Sequence, residues 1–272
     1  MAATSVDDIV KGLVSGAQQF VINKASIATQ IAGGFSSLWR ATGTPAQGSI
    51  PAAAAVCTKA LTGAFAFNNP TGGLSSYIAR SMLVSGNAAT DIQFHDRLAH
   101  MGGLSGTVTT AQTAGVDVSG ATDNMPARRG ASGYSDVQWW LEWYTATGAT
   151  AVTATITYTN AAGTSGRTTT VALAASIGAS RMLPILGSGG EFIQSVQSVT
   201  LSATTGTAGS FGVTATRALG SMSLGLANGG QVSDWQMLGL PKIEDDACLM
   251  MICLPSTTST GALYGSAKLI QV

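Results

Sequence analysis

VTATITYT, residues 152–159, alternates without a break: Val152, Ala154, Ile156 and Tyr158 are apolar, and Thr153, Thr155, Thr157 and Thr159 are polar. A period of two sends the apolar set to one side of an extended chain, so the segment predicts a half-buried strand. The turn-rich NAAGTSG (160–166) follows, and RTTTVAL (167–173) puts Val171 and Leu173 on one parity, which predicts a hairpin. The construction recurs in SVQSVTLSA (195–203), a TTGTAGS loop (204–210) and FGVTATRAL (211–219), where Phe211, Val213 and Ala215 share a side. DACLMMICLPSTTSTGALYGSAKLIQV (246–272) reads as a continuous apolar strand, a polar turn and a last strand, an antiparallel pair. Strands are expected at 137–145, 152–159, 167–173, 196–203, 211–218, 247–254 and 262–271. Together they predict a mainly β fold, an antiparallel β-sandwich or jelly roll over residues 131–272.

The earlier part of the chain reads differently. DDIVKGLVSGAQQFVINKASIATQI (7–31) spaces Ile9, Leu13, Phe20, Ile27 and Ile31 at roughly helical intervals, with Gly12 and Gly16 as weak points. It is expected to form a helix covering the core or an arm docking on a neighbouring chain. Gly33, Gly34, Gly43, Pro45, Gly48 and Pro51 break every period and make 33–51 a loop. Short helices are expected at 52–63, over Leu74–Val84 and over Thr90–His100. The domain expectation is a mixed, loop-rich N-terminal region with an arm and short helices at 1–130, followed by a β-sandwich domain at 131–272.

Charge is the unusual quantity. Asp, Glu, Lys and Arg make up 10% of the 272 residues, against about 25% in ordinary soluble domains, and 13 acidic residues balance 13 basic ones. A free monomer usually keeps its net charge away from zero, so the deficit points to life in an assembly. The lack of a basic excess argues against nucleic acid as the partner. Apolar residues at 45% exclude the disorder signature. No run approaches the roughly 18 apolar residues of a membrane helix; the longest small-apolar stretch is Ala52 to Cys57. Asp7 and Asp8 stand where a secretory signal would carry positive charge, which implies synthesis in a cytoplasm. Cys57, Cys248 and Cys253 are odd in number and lack CxxC spacing, so they are expected to be buried hydrophobes rather than disulfides or zinc ligands.

No arrangement of reactive groups identifies an enzyme. DIQFHDRLAH (91–100) holds both histidines, His95 and His100, with Asp91 and Asp96. Asp91 and His95 could share a helix face and hold a metal, but HExxH is absent, and no G-x-S-x-G elbow supplies a nucleophile. GSGGEF (187–192) lacks the lysine and following helix of a phosphate loop. Glu142, Glu191, Glu244, Asp245 and Asp246 are scattered, where glycoside hydrolysis needs two carboxyls about 5–10 Å apart. No catalytic residue, cofactor or metal is therefore expected.

QWWLEWY (138–144) is the aromatic cluster. On a strand, Trp139, Leu141 and Trp143 face one way, and Trp140 and Tyr144 the other. One face must be core; the other is covered by the chain itself or exposed as an anchor. Trp140, Tyr144, Trp235 and Tyr264 are accordingly the candidate interface residues, for a protein subunit or a host glycan.

The succession VQWWLEWYTATGATAVTATITYTNAAGTSGRTTTVAL (137–173), GSGGEFIQSVQSVTLSATTGTAGSFGVTATRAL (187–219) and LPKIEDDACLMMICLPSTTSTGALYGSAKLIQV (240–272) resembles the virion structural proteins of tailed bacteriophages, especially those that decorate or cement a capsid. The resemblance covers roughly residues 130–272 and rests on the texture and order of segments. It implies β-sandwich or jelly-roll domains, homo-oligomers with trimers favoured, and no catalytic residues. It also implies the major capsid protein or other virion proteins as partners, and a place in the virion after synthesis in the host bacterial cytoplasm. A tail, collar or head-fibre component, with host-glycan recognition, is the alternative. The shell-forming capsid protein is disfavoured because no uninterrupted long helix pattern is present.

Overall fold

A computed structural model describes residue 3 and residues 5–87, 89–131, 133–206 and 209–272. In chain order the elements are α1 (Val6–Val14), β1 (Gln18–Lys24), β2 (Ser36–Ser37), β3 (Gly43–Thr44), β4 (Ala55–Val56), β5 (Ser76–Ser85), β6 (Thr90–Ser105) and β7 (Gln112–Asp117). After α2 (Met125–Arg128) come β8 (Val137–Trp143), β9 (Val152–Asn160), β10 (Arg167–Leu173), β11 (Met182–Ile185), β12 (Ile193–Leu201), β13 (Ser210–Leu224) and β14 (Gly230–Asp234). The chain ends with α3 (Trp235–Leu238), β15 (Lys242–Ile243), β16 (Leu249–Pro255) and β17 (Leu263–Gln271). The first sheet runs β14-β5-β17-β1-β3 with β15 also on β5, the second β10-β9-β12-β7, and the third β11-β8-β13-β6-β16-β2 with β4 also on β6. All these pairings are antiparallel. The fold is mainly β, a sandwich-like stack of antiparallel sheets with few short helices.

The third sheet is the common wall of two cores. At one end Trp139, Leu141 and Trp143 of β8 and Phe211, Val213 and Ala215 of β13 pack on Ala154, Ile156 and Tyr158 of β9 and Val196 and Val199 of β12. At the other end Ile92 and Phe94 of β6, Met222 and Leu224 of β13, and Leu249 and Met251 of β16 pack on Phe20, Ile22, Ile78, Leu83 and Leu269 of the first sheet. β6 and β13 reach both cores because they are 16 and 15 residues long, each about 50 Å at about 3.3 Å per residue. The opposite side of β8 and β16 is closed by the loop that follows β1, where Trp39, Cys57 and Ala64 cover Trp140, Met182, Met250 and Ile252. Strands from both sides of residue 130 are mixed within the first and third sheets.

The strand expectations for 137–145, 152–159, 167–173, 196–203, 211–218, 247–254 and 262–271 fall on β8, β9, β10, β12, β13, β16 and β17. The hairpin of β9 and β10 pairs with Val171 opposite Ala154. The second expected hairpin does not form. β12 pairs with β9 and β7, whereas β13 pairs with β6 and β8. Their apolar faces oppose each other across one core, Val196 and Val199 against Phe211 and Val213, so the loop between them crosses between layers. β16 and β17 likewise lie in different sheets.

The helical expectations need correction. Only α1 is helical in 7–30; Gly16, at φ +87°, ends the run, and Phe20, Ile22 and Lys24 then alternate inward from β1. The run at 52–63 holds β4 and turns. Residues 74–84 and 90–100 are the strands β5 and β6. From Phe94 no exposed residue occurs until Gly103, so period two disappears as it does in any strand covered on both faces. The polar residues that broke the apolar pattern there, His95, Asp96, Arg97 and His100, are paired inside the protein.

One glycine on β13 is fixed by packing rather than by backbone freedom. A Cβ on Gly212 would lie 1.8 Å from the Met101 carbonyl oxygen and 2.7 Å from the Gly102 Cα. Gly212→Ala must therefore push β6 and β13 apart where they bulge past each other. The expected cost is about 1–3 kcal/mol, read as a lower thermal midpoint.

Candidate interaction surface

The ionisable groups that suggested chemistry lie inside. Arg97, buried on β6, donates from Nη2 to Glu142 Oε2 at 2.5 Å, to Thr214 Oγ1 at 3.1 Å and to the Tyr144 hydroxyl at 3.3 Å. Its Nε donates to His100 Nδ1 at 2.9 Å, and its guanidinium lies 4.7 Å from the centre of the Trp39 ring. Arg128 grips Asp96 with two bonds, at 2.9 and 2.7 Å, and the Cys248 amide donates to the same carboxylate at 2.8 Å. Burial alone would raise the Glu142 carboxyl, but the Arg97 charge overrides it and holds Glu142 below the usual range. Burial pushes His95 down to about 3. Burial and the neighbouring Arg97 push His100 down to about 2. Both rings are thus neutral, and the partners assign their tautomers: Thr216 donates to His95 Nδ1, and His95 Nε2 donates to Gln93. These groups tie β6, β8 and β13 of the third sheet to α2 and to the Trp39 loop, and they are buried.

Four of the other acids are engaged too. Glu191 accepts from Tyr158, Asn160 and Arg167. Glu244 pairs with Lys242, and Asp246 with Lys59. Asp91 accepts from Ser223. Among the described residues no group of three or more His, Cys, Asp or Glu is placed to hold a metal ion, and no helix is long and apolar enough to cross a membrane. Cys57, Cys248 and Cys253 are free thiols, all buried.

Two outward faces remain as places for a partner. The first is the outer side of the second sheet. Its register lines Thr168, Thr157, Ser198 and Thr113 across β10, β9, β12 and β7, with Thr170, Thr155 and Thr200 in the next row. This is a hydroxyl-bearing face without a charge in either row. It ends at β10, an edge strand with a neighbour on one side only, whose Thr168, Thr170 and Ala172 are exposed. The backbone groups on the far side of such an edge have no ladder partner.

The second is the outer side of the first sheet, which is half covered. Ile9 of α1 packs on Tyr77, Ala79 and Ile270, with Trp235 at the margin. Beyond α1 the sheet is bare: Val232, Met82, Ser266 and Val21 stand side by side across four strands, with Val232 at 42%, Met82 at 45%, Val21 at 59% and nearby Tyr264 at 48% exposure.

The candidate aromatics divide accordingly. Trp140 and Tyr144 are buried within the protomer, which removes them as surface anchors. Trp140 is covered by the Trp39 loop, stacks edge-on with Phe35 and donates to Thr216; Tyr144 belongs to the Arg97 cluster. β8 is a strand with core on both faces, so neither side of the tryptophan cluster reaches solvent. Tyr264 is exposed and Trp235 is half-buried, both on the outer side of the first sheet. Sequence reasoning missed the Arg80–Lys268 neighbours and the valine face of α1 there. Reading 76–85 as a strand would have aligned the former, but a register shift beside Lys268 disturbs the parity.

No family model matches the chain, and no curated protein matches it. Among solved structures it is similar to a mutant VP2 protein of infectious bursal disease virus from derived T=1 particles, at 10% identity and a TM-score of 0.21, over 99% of this chain and 84% of that one. It is also similar to the infectious bursal disease virus VP2 subviral particle, at 10% identity and a TM-score of 0.19, over 97% and 85% of the two chains. Likeness at this level carries no argument about function.

Proposed function

We propose that this chain is a non-enzymatic structural protein of a phage particle, made in the host bacterial cytoplasm, that binds the capsid from outside and stabilises it. The reading rests on the resemblance of residues 130–272 and on one observation: the protomer, already poor in charge, buries five of its charged residues and leaves a hydroxyl face with an open edge strand outward. Lys24, Asp96, Arg97, Arg128 and Glu142 are buried, while Thr168 and Thr170 of β10 are exposed. Contacts through amides, hydroxyls and small apolar groups do not weaken with salt as exposed ion pairs do. A neighbouring strand, from capsid protein or another virion protein, can continue the second sheet at β10 by backbone pairing.

Co-sedimentation with capsids tests this. Binding is expected to persist between about 0.1 M and about 1 M salt, over which the screening length falls from about 10 to about 3 Å. Thr170→Lys adds a solvated charge to the edge and is expected to weaken particle binding by about tenfold or more, with stability changed by less than about 0.5 kcal/mol. A chain that never associates with particles, or whose binding collapses with salt, removes the proposal.

A further inference from the structure

The bare half of the first sheet carries an unusual pair. Arg80 on β5 lies directly opposite Lys268 on β17. Like charges in direct cross-strand contact repel, and no described residue forms an ion pair with either. Asp234 ends the same row on β14, but its Oδ1 accepts the Gln236 and Met237 amides. The two cations, with Met82 and Ser266, line a depression of about 210 Å³. The surface there asks for a carboxylate next to apolar side chains.

α1 presents that combination. Its inward side is Ile9 and Gly12, the latter close against Val272 and Ile270. At 100° per residue the opposite side carries Asp7, Val10 and Val14, with Lys11 on its flank, all exposed, and Val14 at 84% is the most exposed large hydrophobic residue among those described. The helix therefore stands beside the strip that its outer side would complement, but turned away from it. We propose that the occupant is α1 of a second copy, seated reciprocally, with Asp7 over Arg80 and Lys268 and with Val10 and Val14 over Met82 and Val21.

A raised helix beside a bare strip makes a step, and two steps interlock about a twofold axis. The trimer implied by the sequence resemblance would need donor and acceptor on faces turned about 120° apart, whereas here they share one face. The strip spans four strands of about 4.8 Å and three side-chain rows about 7 Å apart, so two seats bury on the order of 1,000 Å² in total, the lower end for a specific interface. The pairing is read from this surface alone and stands apart from the virion assignment.

Analytical ultracentrifugation of the purified full chain tests it without particles. The expected species is a dimer with a micromolar dissociation constant. Val10→Asp is expected to weaken it by about 100-fold or more, and Lys268→Glu by about tenfold. Asp7→Lys combined with Arg80→Glu and Lys268→Glu exchanges the charges and restores dimerisation. Asp7 and Val10 are exposed and Lys268 is half-buried on the outer side of its strand, so an unchanged thermal midpoint confirms that the variants fold. A monomer at all concentrations, an odd-numbered assembly, or a dimer indifferent to the substitutions overturns the proposal.

Discussion

Glu142→Ala is expected to destabilise the protein by about 3–5 kcal/mol, because it leaves the Arg97 guanidinium buried without its carboxylate. For a chain of this size that corresponds to a fall in Tm on the order of 10 °C. Thr214 and Tyr144 also bond Arg97, but neither carries a compensating negative charge. The matched control removes both charges: Arg97→Met with Glu142→Leu is expected to recover most of the loss, since well-packed apolar replacements of a buried ion pair are often neutral. Urea titration of the three variants gives the comparison. A single-variant cost below about 1 kcal/mol would mean that water or a rearranged partner reaches Arg97.

Acid is expected to act earlier than carboxylate chemistry alone would allow. Unfolded histidine titrates near about 6.5, while the folded chain holds His95 near about 3 and His100 near about 2. Above the unfolded value neither state binds the proton, and the full stability is present. As pH falls below it, the unfolded chain takes up two protons that the folded chain refuses. Stability then drops by about 1.4 kcal/mol per pH unit for each ring until the folded values are approached. Glu142, also lowered by folding, adds a loss that begins only below the unfolded carboxylate range. The unfolding free energy should therefore decline by about 2.7 kcal/mol per unit between roughly pH 6 and pH 4. His95→Gln should halve that slope. An unfolding free energy that stays level from pH 7 to pH 5 would refute the buried neutral state of these rings.

The second half of the chain was most legible where a strand is half exposed. Thr153, Thr155 and Thr157 mark the outer face of β9 as clearly as Val152, Ala154 and Ile156 mark the inner one. β6 hid itself for the converse reason: with core on both sides it has no polar face, and Asp96 and Arg97 interrupt its apolar run only because partners from α2 and β8 meet them inside. Those partners are 32 and 45 residues away, a separation that no local window spans. The same distance effect misplaced Trp140 and Tyr144. Tyr144 meets Arg97 of β6, 47 residues away, and the cover of Trp140 comes from residues 35–64, whose Gly/Pro-rich sequence showed a loop and nothing of where it folds back. On the candidate surface, Tyr264 was visible as an aromatic on the outward parity of β17, whereas Arg80 and Lys268 became neighbours only through strand pairing.

That β6 and β13 serve both cores gives the molecule a mechanical character. A force applied at the hydroxyl edge of the second sheet enters the third sheet through side-chain packing and travels along two continuous backbones to the first. Neither half has a hinge at which to yield alone, so strain at one contact is borne by the whole protomer and melting should pass through one sharp transition. In a closed lattice of such protomers, each subunit would act as a stiff strut rather than as two beads on a cord.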